Sequence, residues 1–133
     1  FNIAKKDLLD IEKSSKILNS LSKYDNAQSI VCINGYIIAI EAVEGTDSLL
    51  NRVCKLRKEL NQLEIKSGFL TKMPKKNQSK LIDLPVLGPK TIMLIKKANL
   101  RGLAIDYLNT IVYKKKEVLK LIKRFDLKIY NIT

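Results

Sequence analysis

Three carboxylates and a glycine crowd into one short segment, Glu41-Ala-Val-Glu-Gly-Thr-Asp47. The apolar run before it, Tyr36-Ile-Ile-Ala-Ile40, reads as a buried strand. Ser48-Leu-Leu-Asn-Arg-Val53 after it repeats Leu49, Leu50 and Val53 at helical spacing. The segment is therefore a strand-to-helix turn, the place where α/β proteins aim side chains at ligands from a rigid strand end. Helix capping accounts for the same residues: Thr46 suits an N-cap, Asp47 the positive helix end, and Gly45 an unusual backbone angle. Chemistry and capping both remain open from these residues alone.

A second acidic position, Asp83, stands in a polar loop between Ile82 and Leu84 and is followed by Pro85. Its ordinary reading is a turn aspartate bonded to its own backbone. Lys72, Lys75, Lys76 and Gln78 precede it and could hold phosphate oxygens, although a solvated loop explains them equally well. Gly88 and a helix start at Pro89 offer backbone N–H groups to an anion. The chain has no histidine. That removes the commonest general base, the usual zinc ligands and every imidazole-based triad. Neither a phosphate-binding Gly-x-x-x-x-Gly-Lys-Ser/Thr loop nor a Gly-x-Gly-x-x-Gly turn is present. Carboxylates, lysines, amides and hydroxyls remain, a set suited to hard cations such as magnesium and to phosphate chemistry.

The elements that must position these groups follow from periodicity and turn residues. Residues 7–21 place apolar residues at 8, 11, 17, 18 and 21, an amphipathic helix. Runs 29–33 and 36–43 are β-rich and separated by Asn34-Gly35, a strong hairpin signal because a type I′ turn needs two positive φ angles. A helix from Thr46 to about Leu63 and a short strand over 68–72 come next. Residues 73–82 form the one long loop, continued by Asp83-Leu-Pro-Val-Leu-Gly-Pro89 into a helix whose body is 91–98. A second hairpin is expected from 102–107 and 110–113 around Leu108-Asn109, then a helix over 115–125 and a last strand over 127–132. Strand–turn–strand–helix thus occurs at 29–63 and again at 103–125, a possible pseudo-repeat. The expected fold class is α/β: a mixed β-sheet with hairpins, packed by about four helices, with a parallel pairing reached through the 89–98 helix.

At 133 residues the chain fits one domain with its own core. Cys32 and Cys54 lack the spacing of a disulfide or zinc framework and read as small apolar residues of a reduced, cytosolic chain. The apolar runs near 36–43 and 91–95 are too short to span a bilayer. A start at Phe1, without a charged-then-apolar leader, is expected of a piece cut from a longer protein.

The net charge of +12 invites a small basic nucleic-acid-binding module as an alternative function. Lys outnumbers Arg 21 to 4, however, and base recognition and bidentate phosphate grip favour Arg. The lysines also spread along the whole chain, as solvated helix faces or as attraction to an anionic membrane or ligand. Tyr24, Tyr36, Tyr107, Tyr113 and Tyr130 are scattered, so core or edge packing explains them better than a base-stacking platform.

Asp25-Asn-Ala-Gln28 before a strand, the 41–47 segment, Lys72 with the Gln78 loop, Asp83-Leu-Pro-Val-Leu-Gly-Pro-Lys-Thr91 and Leu100-Arg-Gly-Leu-Ala-Ile105 occur in order. Together they resemble the C-terminal domain of the LpxI-type UDP-2,3-diacylglucosamine pyrophosphatases, over nearly all of residues 7–132. Two features depart from the family pattern: Ala27 stands where a Gly is usual, and residues 75–81 replace a Lys-Pro-x-Gln-Asp-x-Arg loop. The resemblance implies Mg2+-dependent hydrolysis of UDP-2,3-diacylglucosamine to UMP and 2,3-diacylglucosamine 1-phosphate (lipid X) in lipid A biosynthesis. It implies that Asp83 is the essential catalytic aspartate and a metal ligand, with Glu41, Glu44 and Asp47 as further metal candidates. Thr46, Gln28, Lys72, Gln78 and Gly45 become candidates for substrate contacts. It further implies an N-terminal domain that closes over the ligand, a bacterial cytoplasmic location peripheral to the inner membrane, and no specific nucleic-acid partner.

Overall fold

A computed structural model describes residues 2–24, 28–76 and 82–132, with the backbone alone at Lys76, Ile82 and Asp83. The elements run α1 (Lys5–Ser22), β1 (Ser29–Ile33), β2 (Tyr36–Ile40), α2 (Thr46–Glu59), β3 (Phe69–Lys72), β4 (Lys75–Lys76) and β5 (Ile82–Asp83). Then follow β6 (Val86–Leu87), α3 (Pro89–Lys97), β7 (Gly102–Ile105), β8 (Ile111–Val112), α4 (Lys115–Arg124) and β9 (Lys128–Asn131). A five-stranded mixed sheet in the order β2-β1-β3-β7-β9 forms the middle layer. The three inner strands are buried along their whole length, as strands covered on both faces must be. Side-chain alternation divides the core accordingly. Val31, Leu70 and Leu103 face the layer of α2, α3 and α4, packing with Leu50, Ile92 and Val118. Ile30, Phe69 and Ala104 point the other way, toward Ile11 and Leu18 of α1.

The first hairpin forms as its turn residues require: Asn34 and Gly35 take φ of 50° and 84°. Asp10, buried on α1, accepts hydrogen bonds from the backbone N–H groups of Asn34 (3.0 Å) and Gly35 (2.6 Å), tying the turn to the helix layer. Burial, reinforced by the Asp10 carboxylate, pushes the neighbouring Cys32 thiol up to about 12, so it stays protonated and unreactive. Both cysteines are free thiols. Helix α2 ends at Glu59 rather than near residue 63, because Asn61 adopts a left-handed φ of 56° and terminates it.

The second hairpin does not form. β7 pairs in parallel with β3 through α3 and with β9 through α4, while β8 leaves the main sheet to pair with β6. A fully buried β7 needs neighbours on both edges. Its exit is turned away by Asp106, whose carboxylate accepts the N–H groups of Leu108 and Asn109. The 103–125 pseudo-repeat of the first hairpin unit therefore has no structural counterpart. The parallel connection through α3 is present, and on the other edge of β7 the pairing with β9 is so close that a side chain at Gly102 would collide with the Lys128 carbonyl. The long polar loop is ordered at its two ends, where β4 pairs with β5 and Lys75 stands opposite Asp83. Tyr24, Tyr36, Tyr107 and Tyr113 are exposed rather than packed, and Tyr130 alone packs against a core cluster. No helix among the described residues is long and apolar enough to cross a membrane.

Candidate functional site

One end of the sheet gathers the segments that the sequence singles out. β1 runs antiparallel to both β2 and β3, so its first residue, Ser29, lies where those strands finish, opposite Lys72. Two helices also begin there. Gly45 caps α2 with φ 89°, and Gly88 caps α3 ahead of Pro89. Both N-termini open onto a single cavity of about 570 Å3. Unpaired N–H groups and the helix dipoles make that wall electropositive, a ready seat for an anion.

Beneath this wall lies a buried polar cluster. Glu41, 5% exposed, accepts hydrogen bonds on Oε1 from the hydroxyls of Ser29 (2.8 Å) and Thr46 (2.7 Å). Thr46 accepts in turn from the Lys72 ammonium at 2.9 Å, and Lys72 also donates to the Val86 carbonyl at 3.2 Å. Thr46 thus occupies the first helical position and does not cap the helix with its side chain; it bridges lysine and carboxylate instead. Asp47 lies in the first turn of α2 and accepts from the Thr91 hydroxyl at 2.7 Å, which links the starts of the two helices. Glu44 is turned to Arg52 (2.7 Å), whose hydrogen bond holds its carboxyl below the usual carboxylate value.

Lys72 is the buried cation of this site, 6% exposed. Burial pulls its pKa below the ordinary 10.5, and Glu41 and Asp47 oppose that shift without cancelling it. The ammonium therefore sheds its proton at lower pH than a surface lysine. Because the folded state favours the neutral amine, the folding penalty of this group is full at neutral pH and is relieved as pH rises through Lys72's own midpoint toward 10.5. A carbon-detected NMR titration should give a Lys72 midpoint below 10.5; a midpoint at or above 10.5 would contradict the buried placement.

Gln28, Glu41, Glu44, Gly45, Thr46, Asp47 and Lys72 all line this cavity. Asp83 is placed through its backbone only, on β5 one residue before cavity-lining Leu84. Gln78 lies outside the described residues. Among the described residues no three carboxylates or thiols gather as a metal cluster. Ser29, Thr91 and Tyr113 belong to the site as well and escaped the sequence reading. Ser29 lies inside an apolar strand run, and Thr91 sits at helix position three after Gly88, where it reads as a simple helix former. Only the register of β1 against β3 reveals the first, and only the meeting of two helix starts reveals the second.

A family model described as the LpxI C-terminal domain matches residues 2–130. The UDP-2,3-diacylglucosamine pyrophosphatase LpxI of Caulobacter vibrioides is 35% identical over 101 residues, which cover 75% of this chain and 36% of that protein. The chain thus spans well under half the length of this curated relative.

Proposed function

The chain belongs to the LpxI C-terminal domain family, and we propose that it is the part of a UDP-2,3-diacylglucosamine pyrophosphatase that carries the catalytic residues. The reaction would release UMP and 2,3-diacylglucosamine 1-phosphate, with an N-terminal domain of the complete protein supplying the remaining walls. The observation that carries this reading is the single cavity where two helix N-termini and Lys72 meet Glu41 and Asp47. A diphosphate presents several anionic oxygens, and two helix starts plus an ammonium match that charge. The carboxylates on the same wall would repel it unless a cation lay between.

The donors around the cavity are hard oxygens, a set that fits Mg2+. Asp83, Asp47 and Glu41 are the residues we assign to hold it, while Glu44 is engaged with Arg52. A magnesium ion bound there would neutralise charge building on the diphosphate. The chain's own groups do the positioning. Gly45 and Gly88 leave the helix N–H groups uncovered, Lys72 meets phosphate oxygen, and Ser29 and Thr46 hold the Glu41 carboxylate in one orientation. Gln28 and Gln78 are assigned to substrate contacts on the same side. Because the substrate is diacylated, we also place the protein in the bacterial cytoplasm, at the inner-membrane surface.

The complete protein carrying this chain, incubated with UDP-2,3-diacylglucosamine and Mg2+, is expected to release UMP and the sugar 1-phosphate in equal amounts, and chelation should stop it. Intact substrate after long incubation with folded protein would end this reading.

A further inference from the structure

The segment 107–124 brings exposed apolar side chains and cations together on one side of the fold. Tyr107, Ile111, Tyr113 and Leu119 are each about half exposed, and Leu108 is 85% exposed. Over the same residues six cations stand against a single carboxylate, Glu117, in a chain whose net charge is +12.

The fold explains why these apolar side chains stay uncovered. β8 pairs with β6, and Val86 stands beside Ile111. Leu87 and Val112 take the inner side of that short ribbon, so alternation turns Val86, Ile111 and Tyr113 outward. Helix α4 sends Val118 and Ile122 into the core and leaves Leu119 outside, with exposed Lys115 and Lys123 one turn away on either side. Tyr107 and Leu119 line one cavity, so the turn before β8 and the helix after it are neighbours. The turn is held firmly: the Asp106 carboxylate accepts the Leu108 and Asn109 N–H groups, and the Asp106 carbonyl accepts the Thr110 hydroxyl at 2.6 Å. Leu108 is thus presented outward on a fixed support and needs little further ordering to enter a partner.

A contiguous apolar patch rimmed by charge marks an interaction surface. Its partner must offer hydrocarbon and negative charge side by side. A nucleic acid would satisfy the lysines and leave Leu108 and Ile111 in water, whereas an anionic bilayer supplies both. We propose that residues 107–113 and the outer face of α4 dock the protein on an anionic lipid surface, with Leu108 entering the hydrocarbon and Lys115, Lys116, Lys120 and Lys123 meeting the headgroups. Tyr113, with the Lys114 ammonium 5.5 Å from its ring centroid, is the kind of aromatic that settles at headgroup depth. Val86 and Tyr113 also line the polar cavity, so the docked face lies at that cavity's edge. The reason for the protein to meet a membrane rests on the pyrophosphatase reading; the choice of face does not.

The complete protein is floated with vesicles of equal parts phosphatidylglycerol and phosphatidylcholine at physiological salt. It is expected to rise with them and to stay behind with phosphatidylcholine alone. Lys116→Gln and Lys120→Gln should each weaken partition about fivefold, and Leu108→Ser about tenfold. Lys55→Gln with Lys58→Gln removes the same charge from α2 and should change it little, because screening confines the attraction to the docked face. All of these side chains are exposed, so the variants keep the fold. Equal losses from the α2 pair and the α4 pair would show diffuse attraction and overturn the face, as would unchanged partition of Leu108→Ser. Tighter binding of a short RNA duplex than of vesicles, lost in the same α4 variants, would assign the face to nucleic acid and overturn the proposal. UMP release from detergent-dispersed substrate keeps the two readings apart. Cleavage without flotation leaves the pyrophosphatase standing and removes the docking face; flotation through this face without cleavage does the reverse.

Discussion

Asp83→Ala in the complete protein should reduce UMP release by about three orders of magnitude, the scale of losing a group that orients a metal or the attacking water. The position, rather than the residue type alone, motivates this expectation. β5 fixes the Asp83 backbone opposite Lys75, and Leu84, the next residue, already lines the polar cavity. The chain is then anchored, because the carbonyl of Pro85 accepts the Ile111 N–H at 2.9 Å and the carbonyl of Leu87 accepts the Tyr113 N–H at 2.8 Å. A residue two positions ahead of an anchored ribbon, next to a cavity-lining residue, can be held to the tolerance that catalysis demands. Asp83→Asn keeps the shape and removes the charge, so it should lose nearly as much activity. Circular dichroism and the thermal midpoint should stay close to those of the parent. Normal turnover by either variant would show that another group does this work.

How far the site could be read in advance depended on whether its residues signal locally. The turn at 41–47 is legible because a strand period, a glycine and a helix period follow one another within it, and the structure places it where those periods meet. Gly45 does adopt the unusual, positive φ expected of it. Thr46 illustrates the limit: local rules assign it to the cap, whereas tertiary contact with Lys72 and Glu41 assigns it to the bridge. The second hairpin failed for a related reason. Residues 102–107 and 110–113 carry the right composition, but a buried central strand recruits partners distant in sequence, and the local turn at Leu108-Asn109 is spent on closing a loop around Asp106. Ser29 and Thr91 illustrate the same limit from the opposite side. Nothing in their neighbours distinguishes them until register and helix convergence are known. Residue type announces chemistry only where the chain brings the partners together within a few positions.

Arg57→Ala is expected to destabilise the fold by about 3–5 kcal/mol, a large share of the stability of a domain this size. Arg57 is 1% exposed and lies in the last turn of α2. Its Nη1 donates to the carbonyls of Ala98 (2.6 Å) and Asn99 (2.9 Å), just past α3. Its Nη2 donates to the carbonyls of Gln62 (2.8 Å) and Ile65 (2.5 Å) and to the Ser67 hydroxyl at 3.1 Å. No carboxylate pairs with it among the described residues. Burial lowers its pKa, and the ends of α2 and α3 present the negative partial charge that keeps a cation there tolerable. Truncation would leave several inward carbonyls without donors. Lys in its place should recover little, because a single ammonium cannot span acceptors spread around a planar fork. The consequence reaches the site. α2 has 14 residues, and a helix of that length extends roughly 20 Å, so a clamp at its far end fixes the angle at which its start meets that of α3. Urea unfolding should show the midpoint falling sharply in Arg57→Ala, and in the fraction that stays folded the Asp47–Thr91 link should loosen, seen as broadened amide resonances at both helix starts. A loss below about 1 kcal/mol would mean that water replaces the guanidinium at these carbonyls and that the helix angle is set by apolar packing alone.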